Sequence, residues 1–506
     1  MSWMGIDIGT SGCKAVAFDE QGNVLAEAHR SYGTLTPREG WAELDSGAVM
    51  EACYEVLAEA GQACRLRDPV RGLGVSSQGE AFTAVCPGGE FLTNAMVSFD
   101  TRATEIGAEW SAAFGARRLY EITGHTCHPM FTLPKLLWTQ ANLPEVWEKA
   151  AAFHCFEELL HRRLGLEPAI SHPLAGRTML FDVRTHEWSP EILGAMGLSP
   201  DRLARPLPAG GIVGELPGKV TAELGFAPGA IVVAGGHDQP CGALGAGAIA
   251  PGRAMYGMGS VECICPAFAE PAFSDELFAG NLCTYDFTIA GMYTTVAFSL
   301  TGSNLLRWYH DVWAGEEQRI ADETDGNAYD MIVASMPDGP SGLTVLPHFT
   351  PTGTPHFDPA PTSAVLGMTL ETTRGQFLKG LQEGVAFEMK LNVAMLAESG
   401  VQIDEFVATG GSARRAELVQ IRANVLNRPI TSVAVTEAGC LGVAMLACAA
   451  ATGAALPEIS AKWVRPVQVT EPQPKMAAHY EEQFALYRSL YPALCQLQGK
   501  WPVTGS

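Results

Sequence analysis

The chain has few basic residues and no long hydrophobic run. It holds 33 lysines and arginines against 55 aspartates and glutamates, which gives a formal charge of −22. This balance argues against a nucleic-acid partner or an anionic membrane surface. No run reaches the roughly 18 apolar residues that a transmembrane helix needs. Asp7 and Lys14 interrupt the apolar residues at the N-terminus, so we expect no signal peptide and a cytoplasmic protein.

Cysteine pairing is also absent from the sequence. The 13 cysteines are scattered and odd in number, and they include no C-x-x-C pair. This usage argues against a disulfide framework or a zinc site. The length of 506 residues and the 47% content of hydrophobic residues instead predict a globular enzyme of several domains with large cores.

A glycine turn between two short strands begins the chain. The first strand carries one acid, Asp7, and the turn Gly-Thr-Ser-Gly follows at residues 9–12. Backbone N–H groups in such a turn can converge on a phosphate, with Thr10, Ser11 and Lys14 as further donors. Asp7 could hold Mg²⁺ directly or through water, or be a turn acid satisfied by backbone donors. Because no G-x-x-x-x-G-K-[ST] occurs, the pattern indicates an actin-type phosphate hairpin and not a P-loop.

An aspartate after a buried strand is the candidate catalytic base. Residues 230–234 predict the strand, and Gly235 and Gly236 should end it, which places His237 and Asp238 on a tight turn. Ligands collect at this edge of open α/β sheets. Asp238 could therefore accept a proton from a substrate, or it could only cap the following helix.

A second glycine turn, at residues 257–260, also lies between two apolar runs. Two phosphate-type hairpins far apart in the chain suggest a duplicated domain with a nucleotide held between the halves, although no clear sequence repeat supports this. Pro251 and Gly252 form a plausible hinge. The repeated alternation of strands and helices predicts the α/β class.

Five segments, in order along the chain, resemble motifs of the FGGY family of carbohydrate kinases. They are the first phosphate motif at 5–14, G-W-x-E-x-D at 40–45, T-x-P-K-L-L-W at 132–138, L-F-D-V-R-T-x-x-W-S within 179–189, and the glycine-rich adenosine segment at 410–429. Two departures occur in the last segment. Asn424 stands where an aspartate is usual, and Glu417 lies near the usual serine.

The resemblance implies two actin-like (ribonuclease H-like) α/β domains that flank a deep catalytic cleft. Residues 1–247 would form the N-terminal sugar-binding domain, and residues 248–506 would form the C-terminal ATP-binding domain. The enzyme would use ATP and Mg²⁺, with Asp238 as the general base and with Asp7 and Asp238 as the metal ligands. A homodimer is possible, although the sequence shows no interface.

The resemblance also assigns the residues that would bind ATP. They are Thr10, Ser11, Lys14, Gly259, Ser260, Gly302, Asn304, Gly410, Gly411 and Ser412. Gly302 and Asn304 begin a helix whose free N–H groups suit an anion, although Ser303 and Asn304 could simply cap that helix.

A second set would bind the sugar: Gln78, Gly79, Glu80, Asp100, Arg102, His237 and Asp238. Asp100 could accept from sugar hydroxyls or only pair with Arg102, and we favour the substrate contact. His237 and Gln239 could touch the sugar or be packing groups. Glu262 is a further carboxylate near the cleft that could only satisfy strand-end donors.

The expected activity is phosphorylation of a small ketose, such as xylulose or a related pentulose. A polyol kinase for glycerol or erythritol is the alternative. Glu80 resembles the acid of glycerol kinases, but Gly79 replaces the arginine and Ser98 replaces the aromatic residue, which argues against glycerol itself. A catalytically silent sugar sensor is a third possibility. Retention of Asp7, Asp238 and both phosphate turns argues against it.

Overall fold

A computed structural model gives the fold with its side chains. It describes residues 1–360, 362–435 and 437–498. Positions 361, 436 and 499–506 of the predicted C-terminal domain lie outside the described residues. Among those described, no helix has the length and apolar character needed to cross a membrane.

The strands fall mainly into two large sheets, with several short pairs beside them. In chain order they are Ser2–Ile8 (β1), Gly12–Phe18 (β2), Val24–Ser31 (β3), Glu43–Leu44 (β4), Val70–Ser77 (β5), Phe82–Val85 (β6), Ala95–Met96 (β7), Ala152–Cys155 (β8), Ala169–Ser171 (β9), Phe181–Asp182 (β10), Glu187–Trp188 (β11), Arg205–Leu207 (β12), Ile212–Glu215 (β13), Ile231–His237 (β14), Gly252–Met258 (β15), Glu262–Phe268 (β16), Tyr285–Asp286 (β17), Tyr293–Thr294 (β18), Ala297–Ser299 (β19), Thr344–Leu346 (β20), Ala364–Leu366 (β21), Ile403–Thr409 (β22), Ile430–Val433 (β23) and Pro466–Thr470 (β24).

The helices cover the sheets and fill the connections between strands. They are Ser46–Cys64 (α1), Thr104–Phe114 (α2), Ala116–Thr123 (α3), Thr132–Asn142 (α4), Pro144–Lys149 (α5), Phe156–Arg163 (α6), His172–Arg177 (α7), Pro190–Met196 (α8), Gly218–Leu224 (α9), Asp238–Gly245 (α10), Asp275–Ala279 (α11), Ser303–Trp313 (α12), Gly315–Thr324 (α13), Ala328–Ala334 (α14), Arg374–Glu398 (α15), Ala416–Leu426 (α16), Ala438–Thr452 (α17), Leu456–Trp463 (α18) and Pro474–Gln498 (α19), with 3₁₀ turns at Pro200–Arg202 and Gly411–Arg414.

The first sheet has six strands in the order β13-β14-β5-β1-β2-β3. Strands β1 and β2 form an antiparallel hairpin, and β1, β5 and β14 run parallel. Asp7 on β1 pairs in register with Ser76 on β5, and His237 on β14 pairs with Ser77. Parallel strands end at a common edge, so the sheet brings the predicted acid of the first hairpin and His237 to the same side.

The second sheet repeats this plan. Strands β15 and β16 form an antiparallel hairpin, and β15 runs parallel to β22, the strand that precedes the glycine-rich segment at 410–412. The whole sheet has the order β17-β18-β16-β15-β22-β23-β24, with β19 also paired to β16. Each half of the chain therefore presents a glycine hairpin beside a parallel strand.

The predicted tight turn before Asp238 is wrong. Strand β14 continues through Gly235 and Gly236 to His237, and α10 begins directly at Asp238. The pairing of β14 with β5 shifts register between Val233 and Gly236, which marks a bulge. A β-carbon on Gly235 would lie 1.7 Å from the carbonyl oxygen of Val75, so close strand approach explains this glycine.

Helix α17, late in the chain, packs on the first sheet and on α10. Val16 of β2, Val233 of β14 and Leu441 of α17 share one buried apolar cluster. The sulfhydryl of Cys440 lies 3.4 Å from the carbonyl oxygen of Lys14. Part of the predicted C-terminal region thus completes the core of the N-terminal one, and the division at 247/248 stays a prediction about the chain.

Glycines allow α10 and α17 to touch backbone to backbone. A β-carbon on Gly442 would lie 2.1 Å from the carbonyl oxygen of Cys241, and one on Gly245 would lie 1.9 Å from that of Ala438. Neither position has room for a side chain. The contact fixes the start of α17 relative to Asp238, the first residue of α10.

Replacing Gly442 with alanine should therefore destabilise the protein. The added methyl group must push the two helices apart, which costs about 1–3 kcal/mol of the free energy of unfolding. Gly194→Ala is the matched control, because Gly194 lies in α8 with open space around it. The control should be neutral or stabilising by up to about 1 kcal/mol. Equal urea midpoints for Gly442→Ala and the wild type would contradict the close contact.

Candidate active site

Asp238 stands at the shared edge of the first sheet with one carboxylate oxygen free. Its side chain is 33% exposed, but Oδ1 itself is buried; it has no hydrogen-bond partner and lies 3.2 Å from Nε2 of His237. Burial, and then the negative charges of Asp7 and Glu80, raise the pKa of Asp238 to about 7. A carboxylate with this pKa and a free oxygen can accept a proton at neutral pH.

Asp7 lies close enough to influence Asp238. Its Oδ1 accepts a hydrogen bond of 2.5 Å from the hydroxyl of Ser76 on the neighbouring strand. Burial raises the pKa of Asp7, and the charge of Glu437 adds to the effect while the Ser76 hydrogen bond opposes it. Two partly exposed carboxylates at one edge offer the oxygen ligands that Mg²⁺ prefers, so the donor set fits the predicted metal.

Glu80 forms a buried ion pair with Arg177. The Nε atom of Arg177 donates a hydrogen bond of 2.6 Å to Oε1 of Glu80, and Nη2 also contacts that oxygen. Only 3% of Glu80 and 5% of Arg177 is exposed. Nε2 of His125 lies 3.4 Å from the guanidinium, and burial lowers the pKa of His125 to about 3, so this ring is neutral. The Glu80–Arg177 pair offers a hydrogen-bond acceptor and several donors in a desolvated position, and such groups can bind the hydroxyls of a substrate.

Sequence reasoning missed Arg177. The signal was present, because Arg177 is the only lysine, arginine, aspartate or glutamate in segment 169–181, which consists mostly of apolar or small residues. A lone charge in such a run has to be buried with a partner, and Glu80 is that partner. The 97-residue separation between the two gave no means to pair them.

His237 points to a second residue that the sequence did not identify, Tyr285. The hydroxyl of Tyr285 lies 2.9 Å from Nδ1 of His237. Burial, with the positive charge of Arg177 adding to it, lowers the pKa of His237 far below its ordinary value, so the ring is neutral. Gln239 makes a different contact, because its Oε1 accepts from the Cys263 sulfhydryl at 2.8 Å. Gln239 thus connects α10 to the hairpin of the second sheet.

Gln78 connects the predicted sugar-binding segment 78–80 to the first hairpin through hydrogen bonds. Its Nε2 donates to the carbonyl of Gly9 at 2.9 Å, and its backbone N–H donates to Ile8 at 2.8 Å. Its Oε1 is buried and has no partner. A β-carbon on neighbouring Gly79 would lie 3.1 Å from the ring of His237, which places Gln78–Glu80 beside the base.

The structure shows Asp100 paired with Arg102, the second of the two roles that the sequence left open. Arg102 donates to both carboxylate oxygens at 2.7–3.0 Å, and the N–H of Ala42 donates to Oδ2 at 2.7 Å. Arg102 also contacts Glu43 and stacks on Trp41 at 3.7 Å. Asp100 and Arg102 therefore stabilise the 40–45 motif through these contacts. Their contact with the substrate stays a prediction.

Lys14 and the start of α17 meet at the first hairpin. Nζ of Lys14 lies 2.8 Å from Oε1 of Glu437 and 3.3 Å from Glu27. A β-carbon on Gly439 would lie 3.5 Å from the carboxylate carbon of Asp7. The first turn of the 15-residue helix α17 therefore lies beside the predicted phosphate site, where helix N–H groups favour anions. This neighbour of the hairpin was not predicted.

The second hairpin holds the start of α12. Ser303 donates its backbone N–H to Gly259 at 2.9 Å, and Asn304 donates to Ser260 at 3.2 Å. The side chain of Asn304 accepts from the N–H of Gly302 at 2.8 Å. Gly302 is the N-cap of α12 and no side chain caps this helix, so the expected capping by Ser303 or Asn304 is wrong. Carbonyl groups of the second hairpin accept the N–H groups of Ser303 and Asn304 instead, which leaves neither of these two N–H groups free for an anion. The four predicted ATP residues of this region lie together.

Two cavities in the second half of the chain share Gly411 as a lining residue. One, of about 340 Å³, is lined by Ser260, Asn304, Gly411 and Ser412 among others. The other, of about 420 Å³, is lined by Gly410, Gly411 and the ends of β22 and β23. Of the predicted ATP residues, Ser260, Asn304 and the segment 410–412 therefore line two neighbouring cavities of the second half.

Glu262 belongs to the core and not to the cleft. Its Oε1 accepts a hydrogen bond of 2.5 Å from Arg422, and its Oε2 accepts one of 2.6 Å from the hydroxyl of Tyr256. Both charged side chains are 1% exposed. The carboxylate therefore satisfies buried donors.

Comparison with known proteins assigns most of the chain to one family. A family model described as the N-terminal domain of the FGGY family of carbohydrate kinases matches residues 2–245, and the C-terminal domain model of that family matches residues 263–451.

Relatives and solved structures agree with these matches. The xylulose kinase of Bacillus subtilis is 26% identical over 96% of this chain and 96% of its own length. The glycerol kinase of Symbiobacterium thermophilum is 29% identical over 91% of this chain and 92% of its own. The crystal structure of xylulose kinase from Lactobacillus acidophilus superposes with a TM-score of 0.89, at 23% identity, over 98% of this chain and 99% of that one. The predicted two-domain actin-like fold is confirmed.

The buried ion pair at the base of the site can be tested by stability measurements. Arg177→Met should lower the free energy of unfolding by about 3–5 kcal/mol, because it leaves Glu80 charged, buried and unpaired. The double variant with Glu80→Gln should recover part of this loss. Arg319→Met, which removes an exposed pair with Glu316, should leave the urea midpoint unchanged. No recovery in the double variant would contradict the pairing.

Proposed function

The chain belongs to the FGGY family of carbohydrate kinases, and we propose that it transfers the γ-phosphoryl group of ATP to a hydroxyl of a small ketose of the xylulose type. The Asp238 carboxylate carries this proposal. It has a free oxygen and a pKa of about 7, and it lies next to both the Glu80–Arg177 pair and Asp7 of the phosphate hairpin. The xylulose kinases among the relatives, which match along nearly their full length, support the ketose.

Asp238 acts in this proposal as the general base. The attacking sugar hydroxyl donates its proton to the carboxylate as its oxygen bonds to the γ-phosphorus, and the bond from that phosphorus to the leaving ADP oxygen breaks. Neutral His237 is too weak a base to compete with Asp238 for this proton, because its pKa lies far below the ordinary value. The proton therefore goes to Asp238.

The two glycine hairpins and the segment 410–412 would bind ATP. Thr10 and Ser11 present their donors from one side, and Gly259 and Ser260 present theirs from the other. The cavity of about 420 Å³ beside Gly410 and Gly411 would take the adenosine. Asp7 and Asp238 would hold Mg²⁺, which neutralises phosphate charge when bound.

The sugar would lie over Gln78, Glu80, Arg177 and His237. The unpartnered Oε1 of Gln78 and the carboxylate of Glu80 accept hydrogen bonds, while the guanidinium donates them. Buried polar groups of this kind discriminate strongly, because a substrate that lacks a matching hydroxyl leaves them unpaired. The pocket should therefore select among sugars by hydroxyl position.

A polyol kinase is the second candidate. The glycerol kinase of Symbiobacterium thermophilum is 29% identical to this chain, against 26% for the xylulose kinase of Bacillus subtilis. Glu80 is also an acid of the type that glycerol kinases carry at this point. Glycerol and erythritol are therefore the substrates to set against ketoses.

A substrate panel decides between these functions. ADP release from Mg-ATP should be measured with xylulose, ribulose, gluconate, glycerol and erythritol. We expect one ketose to stimulate turnover well above the rate without sugar. Turnover with a polyol alone would establish the second candidate, and a flat panel with intact ATP binding would favour a sensor.

Asp238→Asn should lower kcat by about 10²- to 10⁴-fold, because the amide cannot accept the proton. Binding of ATP and sugar, measured by calorimetry, should change little. Asp275→Asn, at a side chain that is 90% exposed, is the matched control and should turn over like the wild type. Near-normal turnover of Asp238→Asn would remove Asp238 as the base.

The pH profile should report the same group. With a pKa of about 7 in the free enzyme, Asp238 is protonated and inactive at lower pH, so log kcat/KM should fall with a slope of one below pH 7 and level above it. Glu80→Gln removes a negative charge that raises the pKa of Asp238. In this variant the loss of activity on the acidic side of the profile should therefore shift to lower pH. A loss of activity that begins only near pH 4, the ordinary pKa of aspartate, would contradict the assignment.

A further inference from the structure

Three side chains of metal-ligand type meet in the second half of the molecule. His348 follows β20, His356 lies in the loop before β21, and Glu388 lies in the middle of α15. One ligand atom from each residue lies within 4.8 Å of the other two. The catalytic proposal uses none of these residues.

Their burial makes the arrangement unusual. His348 is 3% exposed and Glu388 is 2% exposed. Neither ring nitrogen of His348 has a hydrogen-bond partner, and neither does Nε2 of His356. Nε2 of His348 faces the Glu388 carboxylate at 3.2 Å, whereas Nδ1 of His348 and Nε2 of His356 have no partner. Buried polar atoms are almost always paired, so this cluster calls for an additional partner.

We propose that His348, His356 and Glu388 bind a divalent transition metal of the zinc type. Two imidazoles and one carboxylate are ligands that zinc accepts, whereas Mg²⁺ prefers an all-oxygen site. Nε2 of His348 lies 3.2 Å from Oε1 of Glu388, without hydrogen-bond geometry. That spacing suits two atoms bound to the same ion at about 2.0–2.2 Å.

Neighbouring side chains position the proposed ligands, and an adjacent cavity gives the ion access to them. The hydroxyl of Tyr487 donates to Oε2 of Glu388, which leaves Oε1 toward the histidines. The ring of Tyr491 stacks on His356 with centroids 3.7 Å apart. A cavity of about 280 Å³ is lined by His356, Glu388, Tyr487 and Tyr491, and it offers an entry path and room for water as a fourth ligand.

The role of this metal would be structural. The loop that carries His356 also supplies Thr354, whose hydroxyl accepts from the N–H of Phe298, and Phe357, whose ring centroid lies 4.6 Å from that of His128. His128 belongs to the first half of the chain. A metal would therefore fasten this connecting loop to α15, and through Tyr487 to α19.

A second histidine–carboxylate group provides the matched control. His172, His186 and Asp286 also lie within ligand distance of each other, but the two histidine side chains are 16% and 33% exposed. His186 has a φ of 57°, which asparagine tolerates better than most residues, so His186→Asn is the control variant.

Cobalt and zinc are the probes for the test. Full-length protein is stripped with a chelator and titrated with Co²⁺ in excess Mg²⁺ and without ATP. We expect one tight equivalent with visible absorption bands. His356→Ala and Glu388→Gln should weaken its binding at least tenfold, while His186→Asn should retain it within about twofold. Circular dichroism establishes that each variant is folded.

Wild-type crystals soaked in Zn²⁺ provide a readout that needs no variant. An anomalous peak at the zinc edge between His348, His356 and Glu388 would support the proposal. No peak there, or cobalt bands that His356→Ala leaves unchanged, would overturn it. A peak only at His172 and His186, with bands lost only in His186→Asn, would also overturn it.

Discussion

The close contact between α10 and α17 is the constraint on which the active site depends. The helices meet at Gly245 and Gly442, where backbone atoms of the partner fill the space of a side chain. Asp238 begins one helix and Glu437 directly precedes the other. The contact therefore places the proposed base, the Lys14–Glu437 pair and Asp7 at one edge of the sheet. Two segments nearly 200 residues apart form this edge, so neither half of the chain makes it alone.

Electrostatics at this edge follows from an excess of acids. Asp7, Glu80 and Asp238 stand close enough for the first two to raise the pKa of the third, and Arg177 is the positive charge that opposes them. In a chain of charge −22, an anionic nucleotide needs local donors to offset repulsion. The two glycine hairpins and the first turn of α17 supply backbone N–H groups there. Burial, together with these neighbouring acids, keeps Asp238 near the pKa that a base requires at neutral pH.

Local sequence signals predicted the strands and turns that carry the proposed catalytic and phosphate-binding residues. Long-range contacts determine the side-chain partners, which the sequence did not predict. Both hairpins and Asp238 were predicted from apolar runs, glycine turns and single acids. These signals could be read from the sequence because each spans only a few residues. The Gly235–Gly236 pair was misread as the end of the strand, since Gly235 is required by the close approach of Val75 from another strand. The Arg177 partner of Glu80 could not be found, because pairing across the chain depends on the folded sheet. For Asp100 the sequence favoured a substrate contact over pairing with Arg102. The structure shows the pairing, and the substrate contact stays a prediction.

The most direct measurement is a crystal structure of the protein with its sugar and an unreactive ATP analogue. The account predicts a sugar hydroxyl within about 2.6–3.2 Å of a carboxylate oxygen of Asp238, on the side that faces the γ-phosphoryl group. The sugar should also contact Glu80 or Arg177, and the nucleotide should lie against Gly410 and Gly411. A sugar bound with its nearest hydroxyl far from Asp238, while the nucleotide occupies its site, would contradict the central claim.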